Sequence, residues 1–155
     1  MEPKIESKIK KLLIESQILS HQSALSGLTP GTRLYDAIDY HLSNPGSGAR
    51  MSLSVAASLA LDISPERAAH LAAAVESLHN ASLIQDDLQD RDVLRRGKPA
   101  VWKKFGPDLA INATDLLLSN AYALVASIGG VTSVQQLIST MHQAVVKTLQ
   151  VKRRT

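Results

Sequence analysis

The most constraining feature of this chain is the stretch from Pro65 to Asp90, which has no glycine and no second proline to interrupt it. Ser64 is a favoured N-cap residue, Pro65 fits the first helical position, and Glu66 suits the positive end of a helix. Alanine and leucine dominate the rest of the stretch, and both favour a helix. One long helix is predicted from about Pro65 to Asp90.

The other blocks fall between glycine and proline breaks. Residues 4 to 26 carry Ile5, Ile9, Leu12, Leu13, Ile18 and Leu19 at helical spacing, and Leu28-Thr29-Pro30-Gly31 ends that block. A second helix is predicted from Arg33 to Leu42. Asn44 to Gly48 reads as a loop, and Ala49 to Leu61 as a third helix. Arg95 to Pro99 reads as another loop, Ala100 to Phe105 as a short turn, and Pro107 to Ile128 as a helix stopped by Gly129-Gly130. A last helical pattern starts near Val134. Aromatic residues make up only 3% of the sequence, and no stretch alternates like a strand. The class is all-α, and the 155 residues read as one helical domain, 1–155.

Composition narrows the chemistry. Without cysteine, a metal must be held by oxygen or imidazole, which points to a hard ion such as magnesium. The formal net charge is +3. Its basic runs sit near the ends, at Lys4, Lys8, Lys10, Lys11 and at Lys152, Arg153, Arg154. Solvated termini explain them without nucleic acid. No run reaches ~18 continuous apolar residues, so no membrane span is predicted. The start lacks an apolar signal core, and a cytoplasmic location is expected.

Four of the 14 acidic residues are Asp86, Asp87, Asp90 and Asp92. At the end of a helix this clustering is unfavourable. Like charges three or four apart repel, and the macrodipole disfavours anions at a C-terminus. A cation would relieve both. Asp86 and Asp90 are four apart and project from one face, where two carboxylates can share divalent ions with a phosphate. By spacing alone, a solvated acidic helix end accounts for the cluster equally well. Ala72, Val75, His79, Ser82, Leu83, Asp86 and Asp90 form one stripe, small or apolar above and acidic below. That suits a pocket with a charged mouth, although a core stripe and a core histidine stay open readings. Arg95-Arg96 comes next in the chain, and arginine forks match phosphate oxygens.

Residues 76 to 106, with Asp86-Asp87-Leu88-Gln89-Asp90, Arg95-Arg96-Gly97 and the upstream His79, closely resemble the first aspartate-rich region of trans-prenyl diphosphate synthases. The resemblance runs more loosely from Tyr35 to Ser127, with Asp115 where the family carries Gly-Asp. It implies an isoprenoid-synthase-type helical bundle around a cavity, of which this chain is the N-terminal portion. It implies a magnesium-dependent condensation of an allylic diphosphate with isopentenyl diphosphate. Asp86 and Asp90 would be direct metal ligands with Asp87 supporting. Arg95 would hold the allylic diphosphate, and Arg96, His79 and Arg50 would contact isopentenyl diphosphate. Asp86, Asp90 and Arg95 would carry the ionisation step.

The sequence departs from that pattern in two places. Where the family has Gly-Lys-Arg-x-Arg-Pro, this chain has Gly48-Ala49-Arg50-Met51-Ser52-Leu53, so two phosphate-binding cations are missing. Each charged hydrogen bond is worth ~1.5–3 kcal/mol. The second aspartate-rich motif of the family's C-terminal half is also missing. A homodimer, or a heteromer with a chain supplying that half, is therefore expected. Two other readings stay open: a class I terpene cyclase, for which Ala49 and Ser52 would be harmless, and a non-catalytic partner of a synthase. Ala81 and Ser82, just upstream of the motif, are small, which by analogy leaves the cavity uncapped.

Overall fold

The computed structural model describes residues 3–152. Arg153 and Arg154 of the basic C-terminal run lie outside the described residues. The uninterrupted stretch forms a single helix, and the other blocks assemble around it. In chain order the helices are α1 Pro3–Leu25, α2 Arg33–Leu42, α3 Ala49–Ala60, α4 Pro65–Asp90, α5 Val101–Phe105, α6 Pro107–Ala126 and α7 Val131–Lys152. The all-α expectation holds, with boundaries close to those predicted.

Two local readings are corrected. Pro65 opens α4, but Ser64 makes no capping hydrogen bond with its side chain. The side-chain cap belongs to α2, where Thr32 Oγ1 accepts from Tyr35 N at 3.4 Å. The segment after α4 is a small hairpin, not a plain loop. Leu94–Arg95 (β1) pairs antiparallel with Lys98–Pro99 (β2), Arg95 opposite Lys98. Arg96 and Gly97 both have positive φ, 52° and 77°. This is the left-handed pair that a two-residue hairpin turn requires. Two residues per strand are too few for alternation to show in sequence.

α4 is the centre of the molecule and packs against α1, α3, α5 and α6. Its contact surface is built from alanines: Ala68, Ala69, Ala72, Ala73, Ala74 and Ala81 are buried. Small side chains let neighbouring helices approach closely. Around Ala81 and Ile84 the core includes Ile38, Val101, Ala113 and Leu117. A second cluster joins Leu12, Met51 and Val55 to Ala68 and Ala72. A third joins Ala73 and Ala74 to Leu124 and Val125, with α7 residues Leu137, Ile138 and Met141 against it.

A buried polar knot ties three helices together. Ser77 Oγ of α4 donates to Leu117 O of α6 at 2.8 Å. Asn120 Nδ2 of α6 reaches Ser77 Oγ and, on α1, Ser23 Oγ, both at 3.1 Å. Among the described residues one helix, α6, is long and apolar enough to cross a membrane. Part of its apolar surface is used in packing: Ala110, Ala113, Leu117, Ala121, Leu124 and Val125 are buried in the molecule.

Candidate active site

The long helix places its functional side chains by period. Val75, His79 and Ser82 of the predicted stripe line a cavity of about 460 Å³ between α4, α6 and α7. Leu78, Ala81 and Gln85 join them from α4, Thr114, Asp115 and Leu118 from α6, and Ala144, Val145, Thr148 and Leu149 from α7. Arg50, in the first turn of α3, stands at the same cavity. Ala72 does not reach it. That residue is fully buried beside Met51 and Val55, as an ordinary core position. Ala81 touches the cavity but also packs with Ile84 and Leu117, so Ser82, half-buried, is the less buried small position of the pair.

Arg50 and His79 meet directly, with Arg50 Nη1 3.3 Å from His79 Nε2. Guanidinium can only donate, so Nε2 accepts and the ring proton sits on Nδ1. Burial, and then the Arg50 charge, lower the His79 pKa below its usual value. The imidazole is therefore neutral at pH 7 and bound to one of the cations that the resemblance assigns to a phosphate.

The acidic cluster is divided by its own helical geometry. Asp90 is exposed at the last position of α4, and Asp86 lies one turn earlier, half-buried. Asp87 points elsewhere. It is 1% exposed, and its carboxylate grips Arg95, whose Nε lies 3.1 Å from both oxygens and whose Nη2 also bonds Oδ1. The oxygens of Asp87, which the resemblance gives a supporting role beside the metal ligands, are placed on the half-buried Arg95 guanidinium. The Asp87 hydrogen bonds in turn raise the Arg95 pKa. Arg95 is thus held by its Nε–Nη2 edge while 28% of its side chain stays exposed.

Among the described residues no three metal-binding side chains come together. Asp86 and Asp90 still share one helix face. Two oxygen donors suit a hard ion that takes its other ligands from water and phosphate, so the pair fits magnesium as a partial site.

Other residues at this end carried no sequence signal. Buried His41 is 2.9 Å by Nε2 from Asn80 Oδ1, and Asn80 Nδ2 donates onward to Glu76 O at 2.9 Å and Glu76 Oε1 at 3.2 Å. Asn44 O accepts from Arg96 Nη1, and Asn44 Nδ2 donates to Arg95 O at 3.4 Å. Trp102 Nε1 donates to Asp92 O at 2.7 Å and fixes the exit from α4. The His41–Asn80 and Asn44–hairpin contacts join segments far apart in sequence, and an asparagine looks the same in sequence whether or not it makes them.

An all-helical fold with two acidic residues in the last turns of its central helix, two arginines on the hairpin that follows and an apolar cavity along the same helix defines the class. The family model for polyprenyl synthetases matches residues 32–151, and the chain belongs to this family. It is 36% identical over 126 residues to a short chain isoprenyl diphosphate synthase of Methanothermobacter thermautotrophicus, covering 81% of this chain and 38% of that protein. It is 42% identical over 97 residues to the large subunit of a heterodimeric geranylgeranyl pyrophosphate synthase of Arabidopsis thaliana, covering 61% of this chain and 26% of that one. Its fold matches the crystal structure of a geranylgeranyl pyrophosphate synthetase from Pyrococcus horikoshii with a TM-score of 0.82 and 27% identity, over 97% of this chain and 47% of that one. The chain therefore spans less than half the length of each of these three proteins.

Proposed function

We propose that this chain forms the first half of a trans-prenyltransferase active site, in which an allylic diphosphate condenses with isopentenyl diphosphate. The observation that carries the reading is the succession of groups along α4 and the hairpin after it. Asp86 and Asp90 close one end of α4, Arg95 and Arg96 come next on the hairpin, and an apolar cavity of about 460 Å³ runs along the same helix. In this reading Asp86 and Asp90 hold magnesium, which when bound neutralises diphosphate charge. Asp87 orients Arg95, and Arg95 and Arg96 bind diphosphate oxygens. The allylic C–O bond breaks with both electrons leaving on the diphosphate. The resulting carbocation alkylates the isopentenyl double bond, and a proton is lost. Fixed cationic donors beside a water-poor cavity favour that charge separation.

His79 and Arg50 are proposed contacts to isopentenyl diphosphate. Their mutual hydrogen bond (3.3 Å) leaves the remaining guanidinium donors and the His79 Nδ1–H for that anion. The remaining ligands and the far wall of the cavity are proposed to come from the part of the family's fold that these residues do not span. The accessible surface supports this. It is 9437 Å², against roughly 7,600 Å² for a compact monomer of this mass. The excess is surface that further helices of the fold would cover. The 155 residues are then one helical unit, and a cytoplasmic site of action is consistent with water-soluble diphosphate substrates.

Titration with magnesium and inorganic pyrophosphate tests the site. Asp86→Ala with Asp90→Ala is expected to weaken magnesium-dependent binding at least tenfold. Asp87→Ala is expected to keep the metal dependence while lowering folding stability by about 2 kcal/mol, since it strands a partly buried guanidinium. Undiminished magnesium-dependent binding in the double variant would remove the metal assignment. Incubation with labelled allylic and isopentenyl diphosphates, with and without a partner chain, tests the reaction. Hydrocarbon or alcohol formed without isopentenyl diphosphate would favour a cyclase instead.

A further inference from the structure

We infer that the turn Asn44-Pro45-Gly46 is a latch that positions Arg96 for anion binding, with Gly46 as its size-determining residue. The inference rests on the reading of Arg96 as a diphosphate contact. Three observations converge on it. First, the turn takes hold of the hairpin at two points 51 and 52 residues away in sequence: Arg96 Nη1 donates to Asn44 O, and Asn44 Nδ2 donates to Arg95 O. Second, the Arg96 guanidinium lies directly on Gly46. A Cβ added there would stand 2.5 Å from Nη2, 2.9 Å from Cζ and 3.2 Å from Nε. Carbon and nitrogen cannot approach so closely, so any side chain at Gly46 displaces the guanidinium. Gly46 is not among the positive-φ glycines, and its backbone does not itself require glycine. What the position requires is an empty volume.

Third, Arg96 is held in a left-handed conformation, φ 52°, which is strained for a non-glycine residue. The hairpin turn would accept asparagine or glycine there more cheaply. This backbone conformation directs an exposed side chain across to the turn. With Nη1 bonded to Asn44 and Nη2 against Gly46, the guanidinium plane is fixed before a ligand arrives. Such pre-ordering lowers the entropy lost on binding. The latch also restrains Arg95 through its carbonyl. One turn between α2 and α3 therefore sets both arginines that come after the aspartates.

The test uses the whole chain and two readouts. The first needs no ligand: the Arg96 side-chain Nε–H signal in nitrogen-15 NMR, assigned by its loss in Arg96→Ala. Gly46→Ala is expected to shift this signal and leave the melting temperature unchanged. Ser47→Ala on the same turn is expected to leave the signal in place. The second is magnesium pyrophosphate binding. Gly46→Ala is expected to weaken it roughly tenfold, the scale of one charged hydrogen bond. That loss should vanish when Arg96 is already alanine and persist when Arg95 is alanine. An unmoved Arg96 signal, or an equal loss in the Arg96→Ala background, overturns the latch. If Arg96→Ala itself leaves pyrophosphate binding unchanged, the diphosphate reading of Arg96 fails. A shifted signal in that case keeps the positioning of Arg96 by Gly46 while stripping it of its role in anion binding.

Discussion

Asp86, Asp87 and Asp90 show how much one helical turn decides. Spacing already sets Asp86 and Asp90 apart from Asp87 in the sequence, since a helix rotates successive residues by about 100°. Asp87 therefore faces the interior when Asp86 and Asp90 share the outer face. There it becomes a structural counter-ion that orients Arg95. His41 poses the related question of a buried base. Burial lowers its pKa from 6.5 to about 4, against the smaller raising effect of its Asn80 hydrogen bond. The folded state holds the ring neutral, whereas the unfolded chain binds a proton near pH 6.5. Stability from this group is complete above that pH, erodes as pH falls, and is lost by about pH 4. At ~1.4 kcal/mol per pH unit the loss is roughly 3 kcal/mol. Urea unfolding of the protein and of His41→Gln between neutral pH and about pH 4 should differ by about this amount, with the variant flatter.

At the scale of elements, α4 was the most legible part of the chain because nothing in it breaks a helix. Its packing was less legible. Alanine on nearly every side gives no periodic signal of which face is the core, and the choice falls to the neighbours. Ser77 and Asn120 illustrate this. Neither stands out in sequence, yet they join α1, α4 and α6 through buried hydrogen bonds. Asn120→Ala is expected to destabilise the protein by about 1–2 kcal/mol, because Ser23 and Ser77 each lose a donor. Thr140→Ala, which removes an exposed bond within α7, should stay within ~0.5 kcal/mol. Urea midpoints at fixed pH compare the two. The hairpin after α4 was illegible for another reason: its strands are two residues long, and its turn depends on an arginine in a conformation that composition does not suggest.

At the scale of the whole molecule, apolar side chains beside the cavity stay open to solvent. Val75 of α4 is 37% exposed, and on α7 Val146 and Leu149 are 37% and 46% exposed. Apolar surface of this kind beside a binding cavity favours association. Sedimentation should reveal concentration-dependent self-association of the isolated chain, or tight capture of a chain carrying the second half. Leu149→Glu should weaken either by at least tenfold. A chain that stays monomeric and captures no such partner would argue against a completed cavity.

The sequence by itself determined the helices, their breaks, and the acidic and basic groups at one end of the longest of them. These depend on local propensity and period, which neighbouring residues decide. Only the tertiary structure decided that Asp87 turns inward to Arg95, that Arg50 is bound to His79, and that Gly46 makes room for Arg96. Each of these is a contact between segments brought together by packing, and its geometry is set by volumes and directions that no single stretch of sequence contains.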